Sequence, residues 1–186
     1  MTPQDILEAW GLHLSLARRR SPHTVRAYLA TATRLLAALP PAQGWASLAR
    51  LDPATLRTHL AARRADGIGN VSAARELSAI KSFIAFAREQ SGETGIAPPR
   101  LRGPRVKKGL PRPITPDEAV NLAAMVAEDA SEEWIAARDR AVLLLLYGAG
   151  LRIAEALALA AAVLPLGESL VVTGKGNRQR VVAILP

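Results

Sequence analysis

Hydrophobic residues recur at helical spacing through the first 91 of the 186 residues and predict four helices. The first helix is expected at about residues 4–19. The second opens with SPHTVRAY, where Ser21 is a good N-cap and Pro22 takes the first helical position. The third is expected from Asp52 and the fourth from about residue 70. Each pattern has one apolar face, so the four helices are predicted to pack as a small all-helical bundle.

The pattern after residue 115 predicts three further helices and then a change of secondary structure. The helices are expected at about residues 115–127, 131–147 and 151–161, the last two separated by the glycines of YGAGL. The second half of the middle helix is apolar nearly all round, which predicts burial at a domain centre. In SLVVTGKGNRQRVVAIL the apolar period becomes two, and the β-branched runs on either side of GKGN predict a β-hairpin.

The stretch between these two helical parts has a different composition. Residues 92–115 hold four glycines, five prolines and six basic residues. Because proline and glycine interrupt helices and central strands, this stretch is predicted to be an interdomain linker. The predicted organisation is a helical domain at 1–91, a basic linker at 92–115 and a second domain at 116–186.

The net charge of +8 is distributed unevenly along the chain. Residues 1–91 carry 12 Lys and Arg against 6 Asp and Glu, residues 92–115 carry 6 against 1, and residues 116–186 carry 6 against 9. The basic excess therefore lies in the first two parts, which favours a polyanion-binding module joined to a domain with another role. Charge that serves only solubility is the alternative at this point.

Other features of the composition restrict the class of protein. The chain has no cysteine, which excludes disulfides and thiolate chemistry and favours a reducing compartment. Its N-terminus lacks the pattern of a secretory signal, and no apolar run reaches about 18 residues without a charge. The three histidines all precede the linker, so no metal site is predicted. These features predict a cytoplasmic protein without a membrane segment.

Two basic residues of the second part are candidates for chemistry. Arg152 follows the glycines of YGAGLRIAEALAL in an otherwise apolar run, and Lys175 lies in the glycine-rich tip of the predicted hairpin. Taken alone, Arg152 could cap a carbonyl or pair with Glu155 at i+3, and Lys175 could be a solvated turn residue. The order of the two motifs along the chain indicates a function more specifically than either residue does alone.

In that order, the motifs resemble the tyrosine recombinase (phage integrase) family, and most closely the bacterial Xer recombinases. SPHTVRAY and RELSAIKSFIAFARE are similar to the family's core-binding domain, and LPRPITPDEAVNL is similar to the entry into its catalytic domain. RDRAVLLLLYGAGLRIAEALAL and VVTGKGNRQRVVAILP match the arginine and lysine motifs. The fold implied is mainly α: a four-helix SAM-like core-binding domain, then the N-terminal part of a mixed α/β catalytic domain with a small β-hairpin.

The resemblance implies a role for each residue that matches a family motif. Arg152 would be a catalytic arginine that binds the scissile phosphate, because a planar guanidinium can contact two phosphate oxygens at once. Glu155 would hold that arginine in place. Lys175 would donate a proton to the leaving 5′ oxygen as a general acid. Arg178 and Arg180 in the same hairpin would lie near the minor groove or the DNA backbone.

The same resemblance implies DNA contacts from the polar faces of the second and fourth helices and from the linker. The candidates in the helices are His23, Thr24, Arg26, Arg75, Ser78 and Lys81. Lys107 and Lys108 in the linker are expected to contact phosphates. For each of these residues an ordinary solvated surface is the alternative interpretation.

The activity implied is site-specific DNA recombination, in which strands are cleaved and rejoined through a 3′-phosphotyrosine without metal or cofactor. For Xer recombinases this extends to resolving chromosome dimers during cell division. The partners implied are double-stranded DNA with a short two-arm site, a related recombinase subunit in a tetrameric synapse, and a DNA translocase.

The sequence departs from the family pattern after the hairpin. The family also has a His-x-x-Arg pair, a further His or Trp and a late tyrosine nucleophile, and none of them follows Lys175 here. The two tyrosines, Tyr28 and Tyr147, lie in predicted helices ahead of the arginine motif. The chain is therefore expected to be a recombinase fragment, inactive alone, whose residues 116–186 expose apolar surface and are poorly stable. The alternatives are a non-enzymatic, integrase-like DNA-binding protein and a helical protein-interaction module.

Overall fold

The computed structural model describes residues 1–41, 44–93, 101–106, 109–110, 112–174 and 176–184. The chain divides into two compact units, residues 1–109 and residues 110–186. The division between them falls inside the stretch 92–115 that the sequence predicts as a linker.

Unit 1 is helical throughout its regular structure. Its helices are α1 (Pro3–Leu12), α2 (Pro22–Ala37), α3 (Trp45–Ala49), α4 (Pro53–Ala65) and α5 (Asn70–Ser91). A π-helical turn, His13–Ala17, continues α1, so the first predicted helix is present but changes its hydrogen-bond pattern in its last turn. The short helix α3 lies where the sequence indicates only a loop.

Two of the predicted helix starts are confirmed by their caps. The hydroxyl of Ser21 accepts the backbone N–H of Thr24 at 3.3 Å, with Pro22 as the first residue of α2. The carboxylate of Asp52 accepts the N–H groups of the second and third residues of α4 at 2.7 and 3.0 Å. These side chains satisfy amide groups that have no partner inside the helix, which is why the helices begin there.

The core of unit 1 is built from the apolar faces of all five helices. Trp10 lies at its centre and packs on Phe83 and Phe86, with ring centroids 5.7 and 5.1 Å away. The ring of Trp45 meets Phe86 edge-on at 5.2 Å, which explains why the short helix α3 belongs to this core. The largest fully buried side chains are Trp10, Phe83, Ile6, Leu14, Leu35, Leu48, Leu56, Ile80 and Ile84.

Residues 101–106, which belong to unit 1, pack on its helices. Leu101 is buried in its core, and its carbonyl accepts the ammonium of Lys81 at 2.9 Å. The side-chain amide of Asn70 donates to the carbonyl of Arg105 at 3.2 Å. Part of the stretch predicted as linker therefore forms tertiary contacts with the helical unit.

Unit 2 combines three helices with a hairpin. The helices are α6 (Pro116–Glu128), α7 (Glu133–Gly148) and α8 (Ile153–Leu157), followed by a 3-10 turn at Ala161–Val163. The strands are β1 (Ser169–Thr173) and β2 (Gln179–Ala183), antiparallel with Val171 opposite Val181. The third predicted helix, 151–161, is shortened to α8, and the predicted hairpin is confirmed.

The expectation that α7 is buried at a domain centre is wrong for the described part of unit 2. Every residue of α7 keeps some exposure to solvent, and Leu144 and Tyr147 are 40% and 43% exposed. The reason is that α7 packs on α6, on α8 and on the small core made by Leu151, Ala156, Leu170 and Val172, which cover only part of its circumference.

The fold class predicted from the sequence is confirmed, since the chain is mainly α with one two-stranded antiparallel sheet in its described part. Among the described helices none combines the length and the apolar content that crossing a membrane requires.

Candidate functional site

The turn between α7 and α8 brings Arg152 to the surface of unit 2. Gly150 has a φ of +61°, in the left-handed region that favours glycine, and the chain reverses direction there. The N–H of the next residue, Leu151, still donates to the carbonyl of Leu145 at 3.3 Å and ties the turn to α7. Arg152 then has extended backbone and precedes the first residue of α8, with its side chain 67% exposed.

Glu155 anchors this arginine at two points. One carboxylate oxygen accepts the backbone N–H of Arg152 at 2.8 Å, and the other accepts its Nη1 at 2.8 Å. The Glu155 side chain is only 5% exposed, so the carboxylate is held against the protein while the guanidinium extends outward. The i+3 spacing in the sequence anticipates this contact.

A second arginine binds the same carboxylate from the hairpin. Arg180 on β2 donates Nη1 to Oε1 of Glu155 at 2.7 Å and Nη2 to Oε2 at 2.8 Å, a bidentate ion pair. These bonds from Arg180, together with the backbone N–H of Arg152, hold the pKa of the Glu155 carboxyl far below its usual range, and the same pair raises the pKa of Arg180. The ion pair links α8 to the hairpin at the place where Arg152 emerges.

Gly174, at the end of β1, lies directly against this cluster. A Cβ atom at position 174 would stand 3.0 Å from Oε1 of Glu155 and 3.4 Å from Nη1 of both Arg152 and Arg180. Its N–H donates to the carbonyl of Arg178 across the hairpin at 2.7 Å, and the Arg178 side chain is exposed. The absence of a side chain at Gly174 therefore allows the hairpin to approach the carboxylate closely.

The two arginines differ in the hydrogen-bond donors that they leave free for a ligand. Arg180 uses both terminal nitrogens on Glu155, whereas Nε and Nη2 of Arg152 make no hydrogen bond within the described residues. The three side chains together carry one net positive charge, and Arg152 presents it to solvent. This arrangement can bind an oxyanion such as a phosphate. The described residues contain no group of three side chains suited to a metal ion.

Lys175, the other predicted catalytic residue, lies outside the described residues. Gly174, which lies against the arginine cluster, immediately precedes it in the sequence. Its role therefore stays a prediction.

Four predicted DNA-contacting residues of unit 1 meet in one groove. His23 and Thr24 from α2 and Arg75 and Ser78 from α5 line an open groove of about 630 Å³ between these helices. The proximity follows from helical periodicity, because each pair lies on one face of its helix and the two helices pack side by side.

Two further predicted contacts, Arg26 and Lys81, do not line this groove. Arg26 is exposed on α2 but is not among the groove's lining residues, and Lys81 points to the opposite side of α5, where it binds the carbonyl of Leu101. Lys107 and Lys108 lie outside the described residues.

The groove contains charged residues that the sequence analysis did not single out. Arg34 and Arg63 line it, and both donate to the buried carboxylate of Glu76. A signal for Arg34 was available, since it lies eleven residues after His23, about three helical turns, which brings both to one face of α2. Arg63 gave no such signal, because only the packing of α4 against α5 decides that it faces Glu76.

Comparison with known proteins agrees with the resemblance seen in the motifs. The family model described as "Phage integrase, N-terminal SAM-like domain" matches residues 7–91. Curated relatives named tyrosine recombinase XerC are 42% identical in Mesorhizobium japonicum and 43% identical in Nitrobacter winogradskyi. These alignments cover 98% and 95% of this chain and 61% and 58% of the relatives.

A solved structure described as XerA recombinase aligns with 98% of this chain and 60% of its own, at 18% identity and a TM-score of 0.41. The family assignment does not depend on that likeness. The chain spans about three fifths of the length of the curated relatives it matches. The integrase-domain model matches residues 7–91, and the relative from Mesorhizobium japonicum is 42% identical over nearly the whole chain. The chain therefore belongs to the tyrosine recombinase (phage integrase) family.

Proposed function

We propose that this chain is the DNA-binding and phosphate-binding part of a XerC-type site-specific recombinase. The observation that carries the proposal is the cluster of Arg152, Glu155 and Arg180. It holds one exposed guanidinium rigidly on a protein surface while two of its nitrogens stay available for an oxyanion.

In the proposed reaction Arg152 binds two non-bridging oxygens of the scissile phosphate. A tyrosine phenolate oxygen bonds to phosphorus, the bond from phosphorus to the 5′ oxygen breaks, and the Lys175 ammonium gives that leaving oxygen a proton. Negative charge grows on the non-bridging oxygens as phosphorus becomes five-coordinate, so a fixed guanidinium stabilises this state more than the ground state. Neither Tyr28 nor Tyr147 is proposed as the nucleophile, because both precede the arginine motif.

The proposed partner of unit 1 is double-stranded DNA, bound in the groove that His23, Thr24, Arg75 and Ser78 line. Support comes from the position of this groove in the part of the chain that matches the integrase domain. The proposal extends to a short two-arm site, a related recombinase subunit in a synapse, a DNA translocase, and chromosome dimer resolution in the cytoplasm.

Arg152→Ala tests the catalytic role in the full-length protein that contains this chain. Trapping of the covalent protein–DNA intermediate should fall by a factor of about 100 or more, the usual cost of losing one donor to a developing oxyanion. Duplex binding should stay within about threefold, since a single phosphate contact is a small part of a long interface. Arg138→Ala is the matched control, because Arg138 is a partly exposed arginine of unit 2 that pairs with the adjacent Asp139 and lies over the ring of Trp134, away from the Glu155 carboxylate.

Each alternative gives a different outcome in the same assay. Unchanged trapping with Arg152→Ala would remove Arg152 from the catalytic set. Binding without any covalent intermediate in the wild-type protein would favour the non-enzymatic DNA-binding function. If the chain does not bind duplex DNA, or if its affinity does not change with salt concentration, both DNA-based functions are contradicted.

A further inference from the structure

The groove of unit 1 has an internal organisation that the family motifs do not describe. We propose that Arg34 and Arg63 form a phosphate-binding pair for duplex DNA in this groove and that Glu76 is the positioning residue that holds both. The inference rests on the proposed DNA binding by unit 1 and adds α4 to the helices that contact the backbone.

The first step concerns the way in which the two arginines are held. Glu76 is 5% exposed, and its Oε1 accepts Nε of Arg34 at 3.3 Å and Nε of Arg63 at 3.1 Å. Both bonds run through Nε, and no terminal nitrogen of either arginine donates a hydrogen bond to Glu76. Glu76 thus orients both arginines without occupying the fork that binds phosphate.

The second step concerns the terminal nitrogens. Nη2 of Arg34 donates to the hydroxyl of Thr31 at 3.2 Å, and Nη1 of Arg63 donates to the exposed carboxylate of Asp66 at 2.7 Å. The other terminal nitrogen of each arginine makes no hydrogen bond within the described residues. The two side chains are 41% and 22% exposed and line the groove, so these donors are accessible from it.

The third step concerns the charge of the groove. The groove has a net charge of +2 from its arginines and its glutamate, because three positive charges (Arg34, Arg63 and Arg75) stand against the single buried negative charge of Glu76. Hydroxyl groups of Thr24 and Ser78 also line it. Backbone phosphates take hydrogen bonds from guanidinium and hydroxyl donors of this kind, whatever the base sequence. The arrangement therefore fits an extended polyanion that follows the groove, and among polyanions we assign duplex DNA.

A second face of α4 supplies a matched control. Arg64 is adjacent to Arg63 in sequence but lines a separate cavity with Arg57 and Arg102. Replacing Arg63 or Arg64 by glutamine removes the same charge from the same helix. A difference in DNA affinity between the two variants therefore reports position and not net charge.

The experiment measures the affinity of the 186-residue chain for a labelled DNA duplex as a function of salt. Arg34→Gln and Arg63→Gln should each weaken binding about fivefold to tenfold near 0.1 M salt and reduce the slope of log K against log salt by about one. Arg64→Gln should stay within about twofold. Equal losses for Arg63→Gln and Arg64→Gln would overturn the inference.

Glu76 is tested by the sign of its effect. Removing a negative charge from a DNA-binding surface should tighten binding if charge alone matters, whereas Glu76→Ala should weaken it because both arginines lose their anchor. Glu76→Gln, which keeps one acceptor oxygen, should recover part of the affinity. Tighter binding by Glu76→Ala would overturn its positioning role, and if that variant does not fold, the comparison of Arg63 with Arg64 decides.

Two further outcomes separate this inference from the proposed function. If the wild-type chain does not bind duplex DNA, the proposed function fails before the variants are compared. If a polyglutamate peptide displaces the duplex as well as unlabelled duplex does at equal charge, the groove binds polyanions in general and its assignment to DNA is wrong.

Discussion

At the scale of single residues, the two units use a buried carboxylate in different ways. Glu155 binds the terminal nitrogens of Arg180 and leaves Arg152 exposed, while Glu76 binds two arginines through Nε. The sequence predicted the pair of Arg152 and Glu155 because they are three residues apart. It did not predict the bond from Arg180, because only the folded hairpin brings residue 180 beside residue 155.

The imidazole of His59, which lies near Glu76, is expected to make the stability of unit 1 depend on pH. Nε2 of His59 is buried, has no hydrogen-bond partner among the residues that the structure describes, and lies 3.8 Å from Oε1 of Glu76. Burial lowers the pKa of His59 and the positive charges of Arg63 and Arg34 lower it further, although Glu76 opposes the shift. His59 is therefore expected to fold in its neutral form near neutral pH.

The sign of the effect follows from proton linkage. Below the unfolded-state pKa of about 6.5, the unfolded chain binds a proton that the folded chain resists, so the free energy of unfolding of unit 1 falls with decreasing pH. The fall should be at most about 1.4 kcal/mol per pH unit and should end below the folded-state pKa. Urea unfolding near pH 7 and near pH 5.5 measures it. His59→Leu should remove this part of the dependence, and an unchanged dependence in that variant would contradict the assignment to His59.

At the scale of elements, local side-chain signals determined where several helices begin. The sequence predicts helix starts at Ser21, at Asp52 and at residue 115 or 116, and Ser21, Asp52 and Thr115 each cap a helix in the structure. Ser131 was not a correct start, since α7 begins at Glu133 and its cap residue, Glu132, makes no side-chain cap bond. A capping residue acts within one turn, so sequence indicates it well, whereas an uncapped start depends on packing.

The cap at Thr115 gives an element-scale prediction. Thr115 accepts the N–H of Glu118 at 3.3 Å, and the Glu118 carboxylate accepts the N–H of Thr115 at 2.7 Å, a reciprocal capping box. Thr115→Ala should destabilise α6 by about 1 kcal/mol. Hydrogen exchange of the first-turn amides of α6 should accelerate accordingly. Ser131→Ala is the control and should leave exchange in α6 and α7 unchanged; equal effects of the two substitutions would show that the box contributes nothing.

At the scale of the whole molecule, the two units differ in the size of their cores. Unit 1 buries large aromatic and aliphatic side chains from every helix, whereas the buried apolar residues in the described part of unit 2 are three alanines together with Leu151, Leu170 and Val172. Several large apolar side chains of unit 2 are more than 40% exposed: Val120, Leu122, Met125, Trp134, Tyr147, Ile153 and Leu157. The stability of a unit depends on the apolar area it removes from water, so unit 2 is expected to be the weaker one.

Limited proteolysis of the 186-residue chain tests this difference. A non-specific protease should degrade residues 116–186 at least about tenfold faster than residues 1–91, because proteolysis follows the population of opened chain. Mass spectrometry of the surviving fragment measures it. Phe83→Ala, which removes a fully buried ring at a cost of about 3–5 kcal/mol, should make unit 1 sensitive as well. Equal resistance of both halves in the wild-type chain would refute the prediction.

The sequence by itself determined the helical class, the hairpin, the caps of α2, α4 and α6 and the pairing of Arg152 with Glu155, because each depends on residues within a few positions of one another. The tertiary structure decided that Arg180 and Gly174 complete the arginine cluster, and that Arg34 and Arg63 share Glu76. It also decided that neighbouring elements bury only part of the surface of α7 and that residues 101–106 pack on the helices of unit 1. Those features depend on contacts between segments that are distant in sequence, and the local pattern of one segment does not determine the free energy of its contacts with another.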